Sequence, residues 1–375
     1  MRVETMCSER RGALGSLTGG PARGIGSGVN FPLADALESL FVRSGLSPAQ
    51  VMREVERLSA AYGRGEPRAI DGENAALAYA LYFLPEHFLK PYLVVSELLA
   101  LGAFTSGKRL SVVDAGAGPG TATWAVVEAL RAAGDNRRVD AILIDRSPSL
   151  LKTAATIAGR YEGRVSITTL QADMSTASIP SADVVFLCNA LSEIYEEESR
   201  MAVLKRALSS ACGSGAVVVL EPDSTRGADV AAALWSSFGS QVVAPCPAPH
   251  AFDIAVPVPA ALQRVVTARH RRQKFHWAVL SNAPPAARQD LFRIAEPFKK
   301  LKWGCQAAVC GARGIENIAI RSRRLEDRRA LEALGQGDLV GIDAVRSASG
   351  GFKLESAGPI TVVHSFAAPA RLLAG

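Results

Sequence analysis

The stretch LSVVDAGAGPGTATWAVVEAL, residues 110–130, decides the fold. A short apolar run ends in an acid, Asp114, and three glycines follow at alternate positions, Gly116, Gly118 and Gly120. The chain then reads as a helix. This is the sequence of a strand, a tight turn and a helix N-terminus, which brings backbone N–H groups close to a ligand. Outward from it, apolar strands alternate with helices: VDAILID, RVSITTL, ADVVFLCN and GAVVVLEP are the strands, and EEESRMAVLKRALSSACG is an amphipathic helix. Strands that are apolar throughout belong to a parallel sheet covered on both faces. The expected fold class is α/β, a doubly wound, mostly parallel seven-stranded sheet. Upstream, SPAQVMREVERLSAAYGRG has a helix cap at Ser47, a proline at the first turn and a stop at Gly63. ENAALAYALYFLPEHFLKPYLVVSELLALG reads as a helix broken or kinked at Pro85 and Pro91. After about Val243 the rhythm is lost. The tail GDLVGIDAVRSASGGFKLESAGPITVV reads as a small antiparallel β unit. The chain thus divides into a disordered leader (1–30), an N-terminal helical region (31–104), a sheet domain (105–285) and a basic C-terminal region with a small β unit (286–375).

The glycine turn selects among ligands. A dinucleotide fingerprint has glycine at its first, third and sixth places. Here the sixth place is Thr121, and Asp114 would repel a pyrophosphate. Gly-Lys-Ser/Thr, the mark of a nucleoside triphosphate loop, is absent. An acid followed by G-x-G-x-G suits a cationic ligand without phosphate, and S-adenosylmethionine is such a ligand. Asp114 can meet the positive end of its methionine moiety. Asp145, at the end of the second strand, can accept from both ribose hydroxyls. Asp173 follows the third strand, where an adenine amino group would lie, and Asn189 ends the fourth, facing the methyl group. The other reading of these acids is ordinary capping of a parallel sheet.

Charge is uneven. From Arg264 to Arg329 there are 16 Lys or Arg against 5 Asp or Glu, a net of +11, against +6 for the whole chain. That segment points to a polyanion, most simply RNA; the alternative is a solvated basic face. Trp303 and Phe275 are interleaved with its clusters and are candidates for stacking on unpaired bases. No window approaches the ~18 apolar residues of a membrane span. Six scattered cysteines in 375 residues do not read as a disulfide framework, which favours a reducing compartment.

The run VVDAGAGPGTATWA … LIDRSPSLL … VVFLCNALSEI … VVVLEPDST resembles class I methyltransferases. More narrowly, with ENAALAYALYFLPEHF, VVAPCP and RIAEPFKKLKWGCQAAVCGARG, the chain resembles the methyltransferase-like family of mitochondrial and bacterial small-ribosomal-subunit assembly proteins, over roughly residues 35–340. The resemblance implies cofactor binding at Asp114, Gly116, Gly118, Gly120 and Asp145, and the small ribosomal subunit or its rRNA as partner. It places the protein in the cytoplasm, or in the mitochondrial matrix of a eukaryote, and a monomer is expected. The family also implies four cysteines around an iron–sulfur cluster. Cys246 matches the first and Cys310 the last, and the second Cys-Pro and the Trp-Cys-His element are not found. Cys305 with His250 or His270 would have to substitute, so a cluster is expected to be absent or non-standard. No catalytic base stands out. Glu193 and Glu221 lie near strand ends, where capping and solvation account for each. Three functions stay open: an rRNA methyltransferase, a cofactor-binding assembly factor without turnover, and a small-molecule methyltransferase.

Overall fold

The computed structural model describes residues 32–63, 70–104, 107–244, 252–254, 273–283, 290–311, 313–322, 324–347 and 350–366. The expected leader lies outside them, as do Cys246, His250 and His270. Three helices come first: α1 (Pro32–Ser44), α2 (Pro48–Gly63) and α3 (Glu73–Ala100). Then β1 (Arg109–Ala115), α4 (Thr121–Ala132), β2 (Arg138–Asp145), α5 (Pro148–Ala158), β3 (Val165–Gln171) and β4 (Ala182–Cys188) alternate. They are followed by α6 (Glu197–Ser210), β5 (Ala211–Pro222), α7 (Thr225–Phe238), β6 (Val242–Ala244), β7 (Phe252–Ile254) and β8 (Gln273–Leu280).

The first sheet runs β3-β2-β1-β4-β5-β8-β6, with β7 added beside β8. β1 to β5 are mutually parallel, and β8 is antiparallel to β5. This is the mostly parallel, doubly wound sheet the sequence predicts. Alternate residues feed two cores. Val112, Val184 and Val218 pack under α1, α3, α4 and α5, whereas Val113, Val185 and Val219 pack under α6 and α7. The direction of winding reverses between β1 and β4, and in such sheets the crevice beyond the strand ends at that point holds the ligand.

Two expectations are corrected. Pro85 and Pro91 neither break nor end α3, which is continuous over 28 residues. A mid-helix proline costs about 3 kcal/mol. Eighteen buried residues along α3, both prolines among them, supply the packing that offsets it. The C-terminal β unit is also larger than its sequence suggests. β9 (Leu291–Ile294), β10 (Lys299–Leu301), β11 (Gly304–Gly311) and β12 (Gly314–Ile320) precede α8 (Leu325–Glu332), and β13 (Leu339–Ile342), β14 (Phe352–Leu354) and β15 (Ile360–His364) follow it. These seven strands form one sheet, with β14 parallel to β12. Its own core is centred on Phe292, Val309, Ile318 and Val340. No helix among the described residues is long and apolar enough to cross a membrane.

Candidate cofactor cleft

The glycine turn is held by the neighbouring strand. Gly116 and Ala117 N–H both donate to the Ile144 carbonyl, at 2.8 and 3.0 Å. Gly116, Gly118 and Gly120 all have positive φ, at 74°, 53° and 84°. At Gly116 a Cβ would stand 2.7 Å from the Ala190 Cβ, so only glycine fits between β1 and the loop after β4. Gly120 caps α4 from the left-handed region.

Asp145 clamps this turn. Its Oδ2 accepts from Gly118 N–H at 2.7 Å, and its Oδ1 from Ser147 N–H at 2.8 Å. Burial pushes its carboxyl above the ordinary aspartate range against those bonds. Asp114 sits lower and is buried. Its Oδ2 accepts from Thr123 N–H at 3.1 Å and Thr123 Oγ1–H at 3.0 Å, so it anchors the first turn of α4. Desolvation pushes it up to about 7.

Asn189 has φ 52°, the left-handed region that asparagine tolerates better than most residues. Its N–H donates to the Leu220 carbonyl at 2.7 Å, whereas its buried Oδ1 has no partner. An orphaned buried acceptor in strained backbone marks a place where a ligand donor belongs. Glu221 supports that loop. Its carboxylate accepts from the N–H groups of Ala190, Leu191 and Ser192 at 3.2, 2.9 and 3.3 Å. Glu221 is therefore a cap, as one sequence reading had it. Glu193 is half-buried and, through desolvation, is pushed up to about 7. Arg146 stands between Glu193 and Asp173, 3.7 and 3.9 Å away. Asp173 is more open. Its Oδ1 accepts from Ser175 N–H at 2.8 Å, which helps hold it below its ordinary value.

These residues surround a cleft of about 220 Å³ at the β1–β4 switch point. Gly116, Gly118, Asp145, Asp173, Asn189 and Glu193 line it. Asp114 does not reach the cleft itself and lines a smaller space behind it, whereas Gly120 lies behind the turn. The sequence reading missed Tyr62 and Tyr79, which close the cleft from the helical preface, and Arg146. Nothing marked the tyrosines, because Tyr62 stands in the last turn of α2 and Tyr79 on α3, which reads as apolar around its circumference.

A family model described as mitochondrial small ribosomal subunit Rsm22 matches residues 73–285, more than half of the chain. The chain belongs to the Rsm22 family. Solved structures similar to it include one from Listeria monocytogenes described as a class I S-adenosylmethionine-dependent methyltransferase. That structure is 14% identical, with a TM-score of 0.38 over 68% of this chain and 90% of its own. The plantazolicin methyltransferase BpumL in complex with SAH is 12% identical, with a TM-score of 0.38 over 67% and 99%. The magnesium protoporphyrin IX methyltransferase of Synechocystis PCC 6803, with bound SAM, is 16% identical, with a TM-score of 0.36 over 63% and 99%. No curated protein sequence matches this one.

The iron–sulfur cluster implied by resemblance to the Rsm22 family can be tested against the donors in view. Cys305 shares the inner face of β11 with Ala307 and Val309, in the core of the second sheet. Five residues on, Cys310 falls on the opposite face, because side chains alternate along a strand. The two cannot ligate one cluster, so the expected substitution by Cys305 is corrected. Cys310 is disulfide-bonded. Among the described residues no three His, Cys, Asp or Glu side chains are placed to hold a metal.

Asp114 carries a pH signature. Its folded value is raised to about 7 from an ordinary value near 3.8. The native state therefore holds a proton that the unfolded chain loses first. Its stabilising contribution is full below about pH 4 and is lost as pH rises to about 7. Asp114→Asn keeps an acceptor for Thr123 but cannot titrate. The difference in denaturation midpoint between variant and wild type is expected to move in the variant's favour from pH 4.5 to pH 8. A constant difference would contradict the burial argument.

Proposed function

We propose that this protein binds S-adenosylmethionine in the β1–β4 cleft and methylates the rRNA of the small ribosomal subunit. The observation that carries the cofactor reading is Asn189. Its buried acceptor has no protein partner, and it faces a cleft whose other walls are the Gly116 turn and the Asp145 carboxylate. Asp145 would hold the ribose and Asp173 the adenine edge. Methyl transfer from a sulfonium asks mainly for alignment and a dry site. Tyr79 supplies a dry wall, and Glu193, pushed up to about 7 by desolvation, lines the same cleft as a candidate base. Residues 105–285 would form the methyltransferase domain. The protein would act in the cytoplasm of a bacterium or the matrix of a mitochondrion.

A second reading, an assembly factor without turnover, is favoured by one observation. Both fully buried acids near the cleft, Asp114 and Glu221, are taken up in capping helical turns and offer no base. Incubating the protein with labelled S-adenosylmethionine and small subunits decides between them. Label mapped to one rRNA position, lost in Asn189→Ala, is the result expected of the methyltransferase. Binding of cofactor and particles with no label supports the assembly factor.

The RNA would lie against the basic C-terminal region. β10 and β11 are joined by the two-residue turn Lys302–Trp303, and Trp303 is 42% exposed. The pairing of Ile320 with Cys305 brings exposed Arg321 beside that turn. Lys299 and Lys300 are paired with Glu296 and Glu332, each at 2.7 Å. Such exposed pairs contribute little and exchange readily for phosphate. Phe275 is fully buried under α3, which corrects its reading as a stacking residue. With about four to six phosphates contacted, affinity for rRNA is expected to fall with salt to a power of about −3 to −5. Replacing Lys302, Arg321 and Arg324 by alanine is expected to reduce that exponent by about two to three, without changing cofactor affinity. A wild-type slope in the triple variant would remove this face from the RNA site.

A further inference from the structure

The second sheet curls into a barrel. Its edge strands, β14 and β15, are successive pieces of the segment 352–364, one pairing with β12 and the other with β13. β9 and β10 likewise make one bent strand against β11. The bend is a bulge at which the Ala295 and Glu296 N–H groups both donate to the Ala308 carbonyl, at 2.9 and 3.2 Å. Taking each pair of pieces as one strand leaves five, in the order 1-2-3-5-4, with the third and fifth parallel and α8 between the third and fourth. All of them, with Leu331 of α8, pack on one core. Greek-key barrels of this connectivity present the outer face of their second and third strands, here β11 and β12. Connectivity by itself assigns no ligand, but the side chains on that face do.

Side chains alternate along these strands, and the face opposite the core carries two cross-strand rows. Lys299, Gln306, Ala319 and Lys353 are paired in turn across β10, β11, β12 and β14. Ala308 and Asn317 pair in the next row. The lysines at the two ends of the first row are exposed, as is Asn317. Gln306 Nε2 meets Asn317 Oδ1 at 3.5 Å, a long contact that leaves both amides able to turn to a ligand. Trp303 stands at the tip of the β10–β11 hairpin, with Arg321 beside it. The middle of the face is therefore flat, made of methyl groups and amides, and its margins are cationic.

We propose that this face holds a single-stranded segment of RNA, with bases laid on the β11–β12 rows, one of them stacked on Trp303, and phosphates against the marginal cations. The assignment rests on the RNA reading of the basic C-terminal region, and it adds the state of the RNA and the place of its bases. Ala308 and Ala319 let a base ring come down onto the strands, where longer side chains would hold it off. The base edges that the amides can bond, and the ring faces that the indole can cover, are open in an unpaired strand. A duplex hides them and offers phosphates and sugar hydroxyls instead. A face with cations and nothing more would prefer the duplex, whose phosphates are more closely spaced.

The test is fluorescence anisotropy on the full chain with two labelled probes, an RNA single strand of about 12 nucleotides and the duplex that contains it. Wild type is expected to bind the single strand at least about 10-fold more tightly than the duplex. Trp303→Ala is expected to weaken single-strand binding about 5- to 100-fold at every salt concentration, the usual worth of one stacked base, with the salt exponent of wild type. Trp303→Phe is expected to restore most of that loss. Ala319→Glu, which puts a carboxylate in the middle of the face without touching the core, is expected to weaken single-strand binding at least about 10-fold. The wild-type comparison alone decides the case if a variant does not fold. Equal or tighter binding of the duplex by wild type overturns the assignment and leaves the RNA reading standing. Trp303→Ala or Ala319→Glu with wild-type affinity also overturns it. Failure of wild type to bind either probe or small-subunit rRNA would instead overturn the RNA reading, and this face with it.

Discussion

Arg293→Met is expected to lower the unfolding free energy by about 3–5 kcal/mol, the cost of leaving a buried charge without its partner. Arg293 on β9 and Glu97 on α3 are 2% and 1% exposed. Arg293 Nη1 donates to Glu97 Oε2 at 2.9 Å and to the Gly337 carbonyl at 2.6 Å, while Nη2 donates to Glu97 Oε1. The guanidinium also lies 5.1 Å from the Trp277 ring centre and 5.6 Å from that of Phe366. His364 Nδ1 stands 3.8 Å from Glu97, and burial pushes its pKa below the ordinary histidine value, so it is a poor replacement cation. The pair joins the helical preface to the second sheet, so its loss acts on the element that carries Tyr79. The double variant Glu97→Met/Arg293→Met is expected to regain most of the loss, because two apolar side chains leave no charge stranded. Urea unfolding checks both. A single variant within about 1 kcal/mol of wild type would show that the pair is solvated or exchangeable.

Asp145→Ala is expected to weaken S-adenosylmethionine binding by about 1.5–3 kcal/mol, roughly 10- to 150-fold. Two losses combine. The carboxylate would no longer accept from the ribose hydroxyls, and the Gly118 N–H would lose its acceptor at 2.7 Å, which frees the turn that the cofactor needs in one shape. Asp145→Asn separates them. Its amide oxygen can still accept from Gly118, so the turn stays ordered, and the remaining deficit reports the ribose contact. Calorimetry on both variants measures the split. Unchanged affinity in Asp145→Ala would remove this residue from the site.

The parallel sheet was legible because β1, β4 and β5 at its centre are largely buried and therefore apolar, with an acid or amide closing β1, β2 and β4 and another following the more exposed edge strand β3. The same pattern made Asp145, Asp173 and Asn189 visible, and the structure brings them to one cleft with Gly116 and Gly118. Asp114 could be located but not its partner, since a cap on Thr123 nine residues on depends on how the turn folds back. A break in α3 was one of the two readings the prolines allowed because proline's local cost is fixed, whereas the packing that offsets it comes in part from α4, α5 and β15, far away in sequence. The second sheet was read too small for a related reason. Its strands are short, and pairings such as β9 with β13 join segments some fifty residues apart. Phe275 looked available because it sits among cations, yet β8 alternates, and its phenylalanine turns inward while Lys274 stays exposed.

The central claim is that the Gly116 turn, Asp145 and Asn189 form a site for S-adenosylmethionine. It is tested most directly by titrating the wild-type chain with S-adenosylmethionine and, separately, with NAD. Binding of one S-adenosylmethionine per chain, competed by S-adenosylhomocysteine and unaffected by NAD, is the result predicted. No binding of S-adenosylmethionine, or a preference for the dinucleotide, would contradict it.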